Sequence, residues 1–282
     1  SRAVLVYANS THIARDTAYG RGKKQASVLF EHWAVQAGAK YVNLVLPHVF
    51  GEFGRPFYNS VVSTFCHQLA NDQTPTIQID GDLELVHAQQ VARRCLAALM
   101  DQDAGVVRLE GCAIKVSELL VRLQALHQTY LSQIVPDLSA PLDLCLFNTL
   151  RSYMYPGLYP VELTLRSDAR GTLFEAVKSH HGGQTFLSTT HEGITRGNHY
   201  HLRKVERFLV TNGEAEICLR RLFTNDVQVF RVSGSRPCYV DMPTFHTHSI
   251  KNVGQGDLTT MFWTNEIFDP ADPDTYAEPV LV

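Results

Sequence analysis

The spacing of apolar positions changes along the chain, and the changes divide it. Val4 to Ala8 is an apolar, β-rich run, and after Asn9-Ser10-Thr11 the residues Ala26, Val28, Leu29, Trp33 and Ala34 recur at helical spacing between about Asp16 and Gly38. Tyr41 to Leu46 is almost continuously apolar and ends at Pro47, which suits a strand covered on both faces in a parallel sheet. A loop rich in Gly, Phe and Pro (Val49 to Tyr58) leads to an expected helix over Asn59 to Ala70. A strand over Thr76 to Ile79, a helix over Ala88 to Met100, a strand over Val106 to Leu109 and a helix over Val116 to Ile134 follow. This alternation predicts a doubly wound α/β layer over residues 1–135.

Between Pro136 and Pro160 the pattern gives way to Pro-, Leu- and Tyr-rich segments, read as a connection with a short helix around Leu142 to Ser152. From Val161 onward short strands are separated by Gly, Asn and Asp turns. They are Glu162 to Leu165, Gly171 to Val177, Gln184 to Thr189, Glu206 to Thr211, Glu214 to Leu222, Val227 to Val232, Cys238 to Met242, His246 to Asn252 and Leu258 to Asn265. Residues 161–282 are therefore expected to form an all-β sandwich or barrel.

Composition narrows the classes without choosing among them. With 45% hydrophobic and 19% charged residues over 282 positions, the chain can bury a sizeable core. A net charge of −3, with no basic run beyond Arg21-Gly-Lys-Lys24, argues against a nucleic-acid partner. The six cysteines, Cys66, Cys95, Cys112, Cys145, Cys218 and Cys238, include no C-x-x-C pair, which fits reduced thiols and a cytoplasmic protein. There is no apolar run long enough for a membrane span and no signal-peptide pattern. The opening Ser1-Arg-Ala-Val-Leu-Val-Tyr-Ala8 lacks a methionine and enters a strand directly, as if cut from something longer.

The candidate chemistry is concentrated between Gly193 and Gly213. His199 and His201 are two apart, so a strand turns both imidazoles to one face, and Glu206 follows five residues later. Asp241 to Asn252 supplies another histidine, His248. Three imidazoles and a carboxylate suit a borderline divalent ion, Zn2+ foremost, with room for water or substrate.

The pattern G-x5-H-x-H-x4-E-x6-G followed by P-x-F-x2-H-x3-N resembles the two cupin motifs. The resemblance implies a jelly-roll barrel in which His199, His201, Glu206 and His248 hold one metal. Phe245 stands where the second motif usually has Gly, and Pro237 where Gly usually precedes Pro243 by six. Gly193-Ile-Thr-Arg-Gly-Asn-His199-Tyr also resembles nucleotide-sugar 3,5-epimerases, in which the matching histidine is a general base without metal. His199 thus has two candidate roles, with Arg196 and His246 as substrate contacts. In both readings a proton beside a ketone is removed by a positioned base while the enolate oxygen is stabilised. If His199 binds metal, Lys204, His246 or a tyrosine such as Tyr239 becomes the candidate base.

In the first half, Tyr19-Gly-Arg-Gly-Lys23 puts a phenol and an ammonium one helical turn apart, with Ser10 or Thr11 upstream. This resembles the Y-x3-K of short-chain dehydrogenases, where lysine lowers the tyrosine pKa and a hydroxyl holds the substrate oxygen. Tyr19 and Lys23 would also touch the cofactor, and Arg55 and Asn59 would face a nucleotide sugar. Gln89-Gln90 and His48 depart from that family's usual acidic pair and asparagine. No G-x-x-G-x-x-G loop precedes the segment, so NADP(H) is expected only in an intact parent enzyme.

The order of the halves resembles the bifunctional capsular-polysaccharide enzymes of UDP-N-acetyl-L-fucosamine synthesis, an extended short-chain dehydrogenase fused to a C-terminal cupin. The resemblance implies a partial Rossmann-like sheet, C3 epimerisation of a UDP-4-keto-6-deoxy-N-acetylhexosamine, NADPH-dependent C4 reduction and a homodimer. An iron cupin dioxygenase and a non-catalytic protein that binds nucleotide sugar or only dimerises are the other readings.

Overall fold

The computed structural model describes residues 3–100, 104–164, 166–168, 171–173, 176–179, 182–266 and 268–281. The chain divides into two compact units, Ser1–Gln68 with Gln73–Arg122, and Leu69–Asp72 with Leu123–Val282.

In the first unit β1 (Val4–Ser10), α1 (Ala18–Gln36), β2 (Lys40–Leu46), β3 (His48–Phe50), α2 (Val61–Ala70), β4 (Asp82–His87), α3 (Ala88–Met100), β5 (Gly105–Arg108) and β6 (Cys112–Lys115) follow in order. β1, β2 and β5 form a parallel three-stranded sheet, and β3, β4 and β6 a mixed one. The apolar run in β2 is covered on both faces: Val42 and Leu44 on one side and Asn43 and Val45 on the other are all buried. The parallel α/β arrangement of the Rossmann type is present, in a smaller sheet than a full doubly wound layer.

The strand expected at Thr76 to Ile79 does not form. Pro75 cannot donate to a ladder, and Ile79 points outward, 81% exposed. The strand lies instead at β4, whose Leu85 and Val86 are buried. β6 was also missed, because Cys-Ala-Ile-Lys is too short to show a period.

α4 (Val116–Leu131) carries the chain onward, and α5 (Pro141–Met154) follows. Residues 136–160, read from the sequence as a connection, belong to the second unit, where Leu146, Phe147, Leu150 and Met154 of α5 are buried. Asn148 donates to the Arg203 carbonyl at 3.2 Å, and Arg151, 1% exposed, donates to the Met242 carbonyl at 3.3 Å.

The strands of the second unit are β7 (Val161–Glu162), β8 (Arg166–Asp168), β9 (Gly171–Leu173), β10 (Gln184–Thr190), β11 (Thr195–Tyr200), β12 (Glu206–Asn212), β13 (Glu214–Arg221), β14 (Val227–Ser233), β15 (Cys238–Met242), β16 (His246–Asn252), β17 (Leu258–Thr264) and β18 (Tyr276–Ala277). The strands expected at Glu162 to Leu165 and Gly171 to Val177 lie partly outside the described residues. Two antiparallel five-stranded sheets, ordered β10-β17-β12-β15-β7 and β14-β13-β16-β11-β18, contribute to one apolar core that includes Phe208, Ile217, Leu219, Val240, Ile250 and Phe262. Among the described residues no helix is long and apolar enough to cross a membrane.

Candidate metal centre

β11 and β16 are antiparallel neighbours, and their register places His199 directly opposite His248. A bulge between Gly197 and His199 sets that register. Gly197 has φ +98°, and a Cβ there would come within 2.7 Å of the His248 carbonyl, so only glycine lets the two strands close. His201 follows on the segment leaving β11. Glu206 opens β12, a strand of the other sheet, where it pairs with Met242 and Thr264.

The four side chains meet where the sheets face each other. One ligand atom from each of His199, His201, Glu206 and His248 lies within 4.8 Å of every other. Glu206 Oε2 is 2.9 Å from His201 Nε2 and 3.3 Å from His248 Nε2. The ring centroids of His199 lie 5.1 Å from His201 and 4.6 Å from His248. Phe208 abuts His248 edge-on at 5.6 Å, forming an apolar wall.

The polar bookkeeping of this cluster fits a cation. His201 Nε2, His248 Nε2 and Glu206 Oε2 are buried and make no well-formed hydrogen bond, although they converge. Buried orphan groups of this kind are costly unless something satisfies them, and a divalent ion satisfies all of them together. The other ring nitrogens are tethered: His201 Nδ1 donates to the Asp274 carbonyl at 2.5 Å and His248 Nδ1 to the His246 carbonyl at 3.3 Å. Each tether leaves Nε2 with its lone pair aimed inward. Burial alone would raise the Glu206 carboxyl, but the neighbouring His201 and His248 outweigh it and hold it well below the usual range. Burial, then neighbouring His248 and His201, push the His199 imidazole down to about 4.

The other sequence-derived candidates in this unit lie outside the cluster of four. Lys204 is buried, with Nζ donating to the Pro273 carbonyl at 2.8 Å and lying 5.9 Å from the Phe268 ring. It anchors a loop. Tyr239 is in the apolar core with the Arg207 guanidinium 3.6 Å over its ring, and burial raises its phenol to about 12. Arg196 is exposed on β11. His246 is two residues before His248 on one strand face, with Nδ1 on the Thr244 carbonyl at 3.0 Å and its ring 4.4 Å from that of Tyr155. Asp274 was missed: in a Pro- and Asp-rich stretch it has no periodicity to mark it, and only tertiary contact brings it to His201.

In the first unit the Y-x3-K pair is together. Lys23 Nζ lies 5.8 Å from the Tyr19 ring and donates to the Ala8 carbonyl at 2.8 Å, while Tyr19 remains 55% exposed. Ser10 accepts from the His12 amide at 3.2 Å, as the cap of a 3-10 turn (Thr11–Ala14), and the His12 ring meets Tyr19 edge-on at 6.1 Å. Arg55 lies over the Tyr58 ring at 5.3 Å, and Asn59 lines a cavity of about 600 Å³ with His48, Phe57, Tyr58 and Ile77. Burial, then the nearby His12, lowers the His48 pKa.

Comparison with known proteins covers both units. Residues 6–109 match the NAD dependent epimerase/dehydratase family and residues 166–276 the Polysaccharide biosynthesis C-terminal domain. A UDP-2-acetamido-2,6-beta-L-arabino-hexul-4-ose reductase of Pseudomonas aeruginosa is 33% identical over 279 residues, covering 97% of this chain and 74% of that protein. The chain belongs to that reductase family. The capsular polysaccharide assembling protein CapF from Staphylococcus aureus is similar in structure, with a TM-score of 0.59 and 29% identity over 98% of this chain and 78% of CapF. The spore coat polysaccharide biosynthesis protein SpsL of Bacillus subtilis is 24% identical over 131 residues, which is 43% of this chain and 87% of SpsL. The reductase family thus spans the Y-x3-K unit and the His/Glu cluster alike.

Proposed function

We propose that the chain is a nucleotide-sugar enzyme of capsular polysaccharide precursor synthesis. In this reading the second unit is a cupin barrel that epimerises a UDP-4-keto-6-deoxy-N-acetylhexosamine at C3, and the first unit is the partner reductase. The carrying observation is the convergence of His199, His201, Glu206 and His248 with buried atoms that lack hydrogen-bond partners. The relative's substrate supports it, because a hexul-4-ose has its ketone at C4, next to a C3 proton.

A zinc ion held by the four side chains would supply a positive charge that stabilises the negative charge developing on a ketone oxygen. The protein's own groups do the rest. Glu206 brings one negative charge, and His201 and His248, tethered through Nδ1, turn their Nε2 atoms toward it. We assign His199 to the ligand set. His246 then moves the proton through Nε2, because its Nδ1 is held by the Thr244 carbonyl. Phe208 and Leu219 keep bulk water from the inner side. His246 takes the C3 proton from one face and a solvent-derived proton returns to the other, so that no other bond changes overall.

In the first unit Tyr19 delivers a proton to the C4 oxygen, with Lys23 beside it, and Ser10 or Thr11 holds that oxygen. In an intact parent enzyme bound NADPH would supply the hydride, and Tyr19 and Lys23 are the residues of this chain that would meet it. Arg55 and Asn59 bind the nucleotide part, Arg196 contacts the sugar at the barrel, and the enzyme works as a homodimer.

The test is solvent deuterium exchange at C3 of the keto sugar, with zinc-loaded protein and after chelation. Exchange that chelation abolishes supports the reading, and loaded protein that exchanges nothing ends it. His199→Ala separates the roles: loss of zinc marks a ligand, whereas retained zinc with lost exchange marks the base.

A further inference from the structure

The segment Pro273–Val280 lies against His199 and His201 and against Thr247, the residue before His248. Asp274, 2% exposed, sits at its start with φ +43°, a left-handed conformation costly for a residue with a Cβ. Its carbonyl receives His201 Nδ1–H at 2.5 Å. Its carboxylate receives the backbone N–H groups of Leu202, Arg203 and Lys204 at 3.1, 2.9 and 2.8 Å. One residue therefore holds the imidazole through its main chain and the turn behind it through its side chain. Three charge-assisted bonds make that turn rigid, which a loop needing only to close would not require.

The rest of the strap is pinned along its length. Lys204 Nζ holds Pro273 at 2.8 Å. Ala277 pairs with His199 across β11 and β18. Asn198, immediately before His199, accepts the Glu278 amide on its carbonyl at 2.9 Å and the Val280 amide on its side chain at 3.2 Å. Thr247, immediately before His248, donates to the Glu278 carbonyl. Arg220, 5% exposed, donates to Val280 O, Pro279 O and Glu278 Oε1 at 2.9, 2.7 and 2.9 Å.

We propose that Asp274 is a positioning residue for the metal centre, and that the Pro273–Val280 strap couples metal occupancy to the order of the C-terminal segment. The inference rests on the metal reading above. By linkage, whatever the strap contributes to holding His201 for the ion, the ion returns as order in the strap.

The experiment uses the full chain and its Asp274→Asn variant, which keeps the shape but loses the charge. Zinc affinity is read by competition with a chromophoric chelator, ligand geometry by cobalt(II) absorption, and order by amide hydrogen exchange of residues 201–204 and 273–280 with and without zinc. We expect zinc to slow exchange in both segments of the wild type. Asp274→Asn should weaken zinc binding about 10–100-fold, as loss of outer ligand support does. It should also change the cobalt band while the near-ultraviolet dichroism of the fold is retained. Wild-type zinc affinity and cobalt spectrum in Asp274→Asn would overturn the inference, while a wild type that binds neither ion would overturn the metal reading itself. If Asp274→Asn does not fold, Lys204→Met, which cuts the Pro273 tether and the contact over the Phe268 ring but leaves Asp274 itself unchanged, takes its place. It should shift affinity in the same direction by less, and an unchanged affinity there overturns the inference.

Discussion

His199 and His246 are imidazoles that burial holds at about 4, the first with help from His248 and His201. In an unfolded chain each takes its proton near 6.5. Between those values the unfolded state binds protons that the fold refuses, so stability of the metal-free protein rises with pH across the window. It is fully present above about 6.5 and is lost as pH falls towards 4. Glu206, held low, adds a loss in the same direction at still lower pH. The urea midpoint of chelated protein should therefore fall steadily from pH 7 to 4.5; a flat profile would mean that these rings are not buried as neutral bases.

At the level of the element, β11 owes its use to an irregularity. A regular strand through Thr195–Tyr200 would not bring His199 opposite His248, and the bulge at Gly197 does. Gly197→Ala puts a Cβ against the His248 carbonyl at a φ that side chains rarely adopt. We expect a loss of about 1–3 kcal/mol in urea unfolding together with weaker zinc binding, because β11 must shift from β16 where the two histidines face. Unchanged zinc affinity would show that the bulge does not set the ligand register. α1 shows the same dependence on its entry: Thr17 caps Gly20 N at 3.0 Å, and a Cβ at Gly20 would come within 2.5 Å of the His12 carbonyl. The turn that positions Tyr19 is thus closed on backbone.

For the whole molecule, the proposed function assigns the two units separate chemistry, and their stabilities should respond separately. The four converging residues all lie in Leu123–Val282, whereas Tyr19, Lys23, Arg55 and Asn59 lie in the first unit. A ligand that binds only the folded state of one unit stabilises that unit by mass action. In a thermal scan, zinc should raise one transition and chelator should lower it, with the other within a degree or so of its starting point. A uniform shift of all signal would instead show that the two units unfold as one.

Much of this was legible along the chain, because it depends on short-range pattern. The apolar run at Tyr41 to Leu46, the helical spacing before Ala34, the short strands after Val161 and the His-x-His-x4-Glu spacing are local features that strand and helix geometry translate directly. The strand at Asp82–His87 and the burial of α5 were not legible, since each depends on what covers a face rather than on the face itself. The same holds within the site. Sequence spacing could nominate His199, His201, Glu206 and His248, but their convergence needs Glu206 to reach across from the facing sheet. Lys204 looked available and is bound to Pro273. Asp274, some seventy residues beyond His201, carries no pattern at all and is joined to it by one carbonyl. Residue types and their period along a strand are written in the chain, whereas which faces meet, and which donors are already spent, is decided only when the sheets close.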